Sequence, residues 1–211
     1  MHPLKVVFVH DVVCGWCYLL SPRLHSLAKQ LNLDVHHQCF TLQASRKAML
    51  EAFGSMGDAK ETILGHWEKC VAAEDTPRIN IDGMRAQTFE YPHGMPGALA
   101  CKAAEMQAGQ QGHWRMFDRV QYAHLTESRN IGDSQVLRSL AEEIGLDMVR
   151  YDLDVLSETT QQAVKKDHHL ASKLGVQSVP TLIVEDRWLI NGAQPIESLR
   201  LQLQEVRQHI G

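Results

Sequence analysis

The 211-residue chain has no apolar run close to the roughly 18 residues that a membrane-spanning helix needs. A helical membrane protein is therefore excluded as the starting expectation, and no membrane partner is expected. The first apolar stretch, Val6-Val7-Phe8-Val9, is cut short by His10 and Asp11. It is too brief for the core of a secretory signal, so the expected setting is cytoplasmic. An excess of either charge is also missing: 21 basic against 25 acidic side chains leave a net charge of −4. No basic run exceeds two residues, as at Lys165-Lys166, and nothing points to a nucleic-acid partner. Internal repeats and low-complexity tracts are absent, which excludes repeat architectures. Cysteine is sparse and odd in number, five in all, with only Cys14 and Cys17 close together. That excludes a framework of structural disulfides, and without a second C-x-x-C a zinc site is two ligands short.

What is present is an ordinary globular balance, 44% hydrophobic and 22% charged, on a chain long enough for a substantial core. Residues 4–9 are short, apolar and β-branched-rich, which predicts a buried strand. Over 15–31 the apolar positions Leu19, Leu20, Leu24, Leu27 and Leu31 recur at helical spacing, with Pro22 expected to kink the helix. Residues 33–40 alternate like a second strand. The middle lacks strand signals and predicts helices over 44–53, 58–74, 96–108, 112–124, 134–144 and 147–153. Pro96 suits a first turn, Asp133 an N-cap and Gly145 a stop. The stretch 75–95, with Pro77, Gly83, Pro92 and Gly94, reads as a long connection. Ser157 caps a helix ending at Leu174. A strand Thr181–Glu185, a turn at Asp186-Arg187, a strand Trp188–Asn191 and a last helix from Pro195 to about His209 complete the chain.

The stretch Phe8-Val9-His10-Asp11-Val12-Val13-Cys14-Gly15-Trp16-Cys17 runs from a strand into a helix. A helix N-terminus favours negative charge, and the thiolate is the reactive form of cysteine. Cys14 would lie at that terminus, exposed enough to attack a disulfide. Cys17 would stand one turn away on the same face, placed to resolve the mixed disulfide. The alternatives are a metal-binding pair, for which His10, His36 and His37 could add nitrogen ligands, and a pair of core cysteines. Later, Ser178-Val179-Pro180-Thr181 leads directly into a strand, a plausible cis-proline position after this helix–strand order. A cis peptide there would leave the backbone of Val179 free to pair with an extended substrate.

Residues 1–42 and 157–211 would then join in space as one small mixed sheet flanked by helices, with a helical insertion over 43–156. This is an α/β, thioredoxin-like fold with an α-helical insertion. The Asp11-x-x-Cys14-x-Trp16-Cys17 motif, Leu174-Gly175-Val176, Val179-Pro180-Thr181 and Asn191-Gly192-Ala193-Gln194-Pro195 together resemble the DsbA-like branch of the thioredoxin superfamily. More closely, they resemble FrnE-like dithiol–disulfide isomerases, along nearly the whole chain. The resemblance implies Cys14 as nucleophile, Cys17 as resolving thiol, Pro180 as the cis-proline facing them, and Val179 and Trp16 as substrate contacts. A dithiol–disulfide oxidoreductase requires no organic or metal cofactor, since the cysteines carry the electrons. The resemblance implies a disulfide-containing protein or a small-molecule thiol as substrate, and it specifies no oligomeric state. FrnE-type members often carry proline where this chain has Gly15. Periplasmic DsbA proteins carry histidine where it has Trp16, so a more reducing couple is expected than in a strong oxidant at about −120 mV.

Asp11 leaves two readings open: proton transfer beside the pair, or a turn built by its side chain. Cys39, Cys70 and Cys101 read as buried structural thiols. The twelve histidines read as solvated surface groups, because the adjacent pairs His36-His37 and His168-His169 diverge on any regular element. Trp67, Trp114, Phe117 and Tyr122 read as core of the inserted helices. Two rival functions remain: a glutathione-dependent isomerase or transferase of the kappa or hydroxychromene-carboxylate type, and a non-catalytic peptide-binding module. Cys17 argues against the first, which needs no resolving cysteine.

Overall fold

A computed structural model describes residues 2–210. The elements run β1 (Leu4–His10), α1 (Gly15–Gln30), β2 (Leu33–Cys39), α2 (Arg46–Phe53), α3 (Met56–Val71), α4 (Ile81–Ala86) and α5 (Met95–Leu125). Then follow α6 (Ser134–Glu143), α7 (Met148–Asp154), α8 (Glu158–Lys173), β3 (Thr181–Val184), β4 (Trp188–Asn191) and α9 (Ile196–Ile210). The four strands form one mixed sheet in the order β2-β1-β3-β4. β1 and β2 are parallel, with Leu4 opposite Leu33, as a β-α-β unit requires. β3 runs antiparallel to β1, with Val9 opposite Thr181, and β4 closes the sheet as the partner of a tight hairpin.

The α/β class and the thioredoxin-like architecture are those expected. β1 is buried along its length except at Lys5, because helices cover both faces of the sheet. Leu4, Val6 and Phe8 enter the main core with α1, α9 and the inserted helices. Val7 and Val9 face the other way, toward Phe40, Ala171 and Val176. Period-2 alternation therefore survives inside a strand that is apolar on both sides.

Three expectations need correction. The connection 75–95 contains α4, whose N-cap Asn80 accepts the Gly83 N–H at 2.8 Å. Six residues are too few to carry a hydrophobic period. The helices expected over 96–108 and 112–124 join without a loop as α5, broken at Ala108 (φ −137°) and Gly109 (φ 60°, ψ −154°). The hairpin turn sits one residue earlier than expected. Glu185 and Asp186 take its left-handed positions (φ 50° and 55°), and the Arg187 N–H reaches the Val184 carbonyl at 3.1 Å. By contrast, α1 runs unbroken through Pro22.

The inserted helices pack around Trp67, Tyr91 and His124. Trp67 stands edge-on to His124 with centroids 5.4 Å apart, and His124 Nε2 pairs with the Tyr91 hydroxyl at 2.8 Å. Burial pushes the His124 imidazole from 6.5 down to about 3. The folded state therefore holds it neutral, while the unfolded chain protonates near 6.5. Stability contributed by this residue is complete above pH 6.5 and is lost as pH falls from there toward 3. His124→Gln retains a polar partner for Tyr91 and removes the titration. In urea denaturation, wild type is expected to lose stability relative to this variant by up to about 1.4 kcal/mol per pH unit below 6.5.

Candidate active site

Four residues, Asp11 to Cys14, turn the chain from β1 into α1. The Cys14 N–H closes the turn on the Asp11 carbonyl at 3.2 Å. Cys14 is the N-cap of α1, with extended backbone (φ −85°, ψ 114°), and its sulfur accepts the Cys17 N–H at 3.4 Å. A sulfur thus stands where a serine or aspartate oxygen usually caps, facing unpaired N–H groups that favour negative charge. On the other side the Cys14 thiol points at the Val179 carbonyl at 3.6 Å. The Val179-Pro180 peptide is cis. Trp16, Val179, Pro180, Ala193, Gln194 and Pro195 line a cleft of about 310 Å³ beside the pair.

The two thiols differ in environment. Cys17 is wholly buried. Burial first, then the hydrogen bond and charge of Cys14, raise its pKa well above that of a free thiol. Cys14 is more covered than an attacking thiol was expected to be, with 7% of the residue exposed, yet it is the outer of the two. Its cover includes the Val179 carbonyl, which was expected to be free and here faces the thiol itself.

Asp11 is buried beneath this turn. Its Oδ2 accepts the Leu42 N–H at 2.7 Å and its Oδ1 the Val13 N–H at 3.3 Å, so the turn-building reading is realised. Burial raises its carboxyl to about 6, against the pull of the backbone N–H groups of Leu42, Val13 and Val12. A Cβ on Gly94 would lie 2.1 Å from Asp11 Oδ1, so only glycine lets the start of α5 approach this carboxylate.

Sequence reasoning missed Gln121. This fully buried α5 residue donates from Nε2 to the carbonyls of Cys14 (2.9 Å), Asp11 (3.3 Å) and Val12 (3.3 Å). The signal available was a polar residue in the apolar stretch between Val120 and Ala123. Cys39, Cys70 and Cys101 are buried, as expected, and all five thiols are free. The reading of the histidines as solvated is corrected: His10, His37, His113 and His124 are at most 2% exposed. One ring nitrogen each from His10, His37 and His113 comes within 4.8 Å of the others, an arrangement able to hold a metal ion away from the cysteine pair.

A thioredoxin-type domain presenting two cysteines at the start of its first helix is the class that this fold and turn define. The chain belongs to the DSBA-like thioredoxin domain family, whose model matches residues 5–204. Among curated relatives, the ClpXP adapter protein SpxH of Bacillus subtilis is 28% identical over 182 residues, covering 85% of this chain and 58% of its own. The chain thus spans under three-fifths of the SpxH relatives it matches. A putative protein disulfide isomerase from Nitrosomonas europaea superposes with a TM-score of 0.83 at 20% identity, covering 100% of both chains. The cytosolic disulfide reductase DsbM from Pseudomonas aeruginosa, solved with GSH, gives 0.75 at 25% identity, covering 95% of this chain and 100% of that one.

Gly15, where the FrnE resemblance leads to an expectation of proline, has little room for a side chain. A Cβ there would lie 2.9 Å from the buried Sγ of Cys70. Gly15→Pro is expected to cost about 1–3 kcal/mol in urea denaturation through overpacking. Adding Cys70→Ala should recover most of that loss, a positive coupling that independent sites would not give.

Proposed function

We propose that the protein is a cytoplasmic dithiol–disulfide oxidoreductase that works through Cys14 and Cys17. The observation that carries this is the N-cap sulfur of Cys14, held between the Cys17 N–H and the Val179 carbonyl, with a second thiol buried behind it. The Cys14 thiolate attacks one sulfur of a substrate disulfide, forming a mixed disulfide and expelling the other sulfur as a thiolate. Cys17 then loses its proton and attacks Cys14 Sγ, expelling the second substrate thiolate. The substrate gains two electrons and the protein is left with a Cys14–Cys17 disulfide. Two equivalents of a low-molecular-weight thiol, such as glutathione, restore the dithiol and leave as their own disulfide. The likeness to a cytosolic disulfide reductase solved with GSH supports both the setting and this reductant.

Trp16, Val179 and Pro180 are the proposed substrate contacts, since they line the cleft next to Cys14. Asp11 is the proposed acceptor of the Cys17 proton: it is buried below the same turn, and its charge is felt at Cys17.

Insulin reduction by dithiothreitol tests the reaction class. Wild type should accelerate it, Cys14→Ala should lose the acceleration, and Cys17→Ala should accumulate a mixed disulfide through Cys14. Wild-type turnover retained in Cys14→Ala would overturn the proposal. For Asp11, single-turnover kinetics separate the two thiol steps. Asp11→Asn is expected to leave formation of the mixed disulfide within a few-fold and to slow its resolution by roughly 100-fold, the low end for a positioned acid or base. Equal slowing of both steps would reduce Asp11 to a turn residue.

A further inference from the structure

Three imidazoles meet in the interior where β1 and β2 pack against α5. His10 closes β1, His37 lies in β2, and His113 follows the α5 break at Gly109 by four residues. His10 Nε2 and His113 Nε2 are 3.0 Å apart. The His37 ring stacks on His113 with centroids 4.8 Å apart and planes 18° off parallel. As a hydrogen-bonded set this cluster is incomplete. Among the described residues, neither ring nitrogen of His37 has a partner, and His10 Nδ1 has none. A neutral imidazole carries one N–H and one lone pair. His37 therefore leaves both a donor and an acceptor unpaired, although the residue is only 2% exposed.

We infer that His10, His37 and His113 form a binding site for a divalent transition-metal cation, best matched to zinc, with Cys39 as fourth donor. Imidazole and thiolate ligands suit zinc, and no dedicated carboxylate ligand is needed. With Zn–N bonds of 2.0–2.1 Å, tetrahedral ligand nitrogens stand about 3.3 Å apart. The His10–His113 separation is already close to that, and His37 has to approach from within 4.8 Å. Cys39 Sγ is buried 4.0 Å from His113 Nε2, and otherwise makes a long 3.8 Å contact with the Ala98 carbonyl.

The surrounding groups are those a metal site needs. His113 Nδ1 pairs with Glu105 Oε2 at 2.7 Å, which leaves the Nε2 lone pair aimed into the cluster, where it accepts from His10 Nε2 and where an ion would take the place of that proton. Gln110 holds the other oxygen of Glu105 at 3.0 Å and accepts the His37 backbone N–H at 2.7 Å. Lys102 bridges Glu105 and Asp167, 2.7 Å from each, so one ammonium faces two carboxylates and the shell carries −1. Adding a Cys39 thiolate (−1) and a divalent ion (+2) brings the assembly to zero. A cleft of about 440 Å³, lined in part by His37, Lys102, Glu105, Gln110 and Asp167, gives an ion a path from the surface. Bound there, the ion would tie β1 and β2 to the inserted helix α5.

The test is cobalt titration of the reduced, chelator-stripped full chain carrying Cys14→Ser and Cys17→Ser, so that the redox pair cannot compete. One equivalent of Co²⁺ should give the visible bands of a tetrahedral ion and a sulfur-to-cobalt band that disappears in Cys39→Ser. Zn²⁺ should displace it. His37→Phe preserves the stacked ring and removes only unpaired nitrogens, so it should fold and bind Co²⁺ at least roughly tenfold more weakly; Glu105→Gln should lose about 10- to 100-fold. Absence of a tetrahedral spectrum, or equal affinity in wild-type and His37→Phe backgrounds, would overturn the site. A tetrahedral spectrum without the sulfur band would strike Cys39 from the ligand set.

Discussion

Everything at the cysteine turn is referred to β1, which is paired on both edges and buried on both faces. A slip of one residue would exchange Val6 and Phe8 for Val7 and Val9 across the sheet, so its register cannot drift. With Val9 opposite Thr181 in an antiparallel pair, the chain that precedes Thr181 must pass beyond the end of β1. The turn into α1 occupies the same space. That is why Cys14 and Val179, distant in sequence, face each other at 3.6 Å. The chemistry of a thiol at a helix start is local, but its partner across the gap is set by strand pairing.

The inserted helices do more than enlarge the molecule. Gln121 of α5 holds the carbonyls of Asp11, Val12 and Cys14 with one amide nitrogen. A turn whose carbonyls are bound from below cannot rotate them toward the sulfur, so it keeps its N–H groups aimed there. Gly94 lets the start of α5 approach Asp11, and Gly97 lets its first turn approach Val12, since a Cβ would fall 2.6 Å from Val12 Cγ2. Cys70 of α3 fills the space beside Gly15. The floor of the site is therefore insertion, while its sulfurs and its facing loop belong to the sheet layer.

The parts that were legible in the sequence are those governed by local rules. Strand alternation, the 3.6-residue spacing of α1, the caps at Ser157 and Asp133, and the Cys14–Cys17 spacing each depend on neighbours a few residues away. What escaped depends on contacts between distant segments. A histidine or glutamine in isolation has the composition of a surface, and nothing near His37 or His113 in sequence says that each will meet the other inside. The two-helix reading of α5 missed the direct junction at Gly109 because a break within a helical pattern looks the same as a short loop. The exposure of Cys14 failed for the same reason: its cover arrives from residue 179.

The asymmetry of the two thiols bears on which chemistry this fold carries here. A single-thiol or glutathione-presenting isomerase needs one nucleophile at the helix start and nothing behind it. In this chain the second position is a thiol that is fully buried, disfavoured as a thiolate, and within hydrogen-bond reach of the first through its own backbone N–H. Such a group is a poor attacker of outside molecules, because desolvation holds its proton on and no substrate reaches it. In the proposed reaction it becomes competent once Cys14 has been converted to a disulfide sulfur, which presents an electrophile one turn away. A thiol kept inert until its neighbour is oxidised is what the proposed resolving role asks of Cys17, and the burial that makes it look structural serves that role.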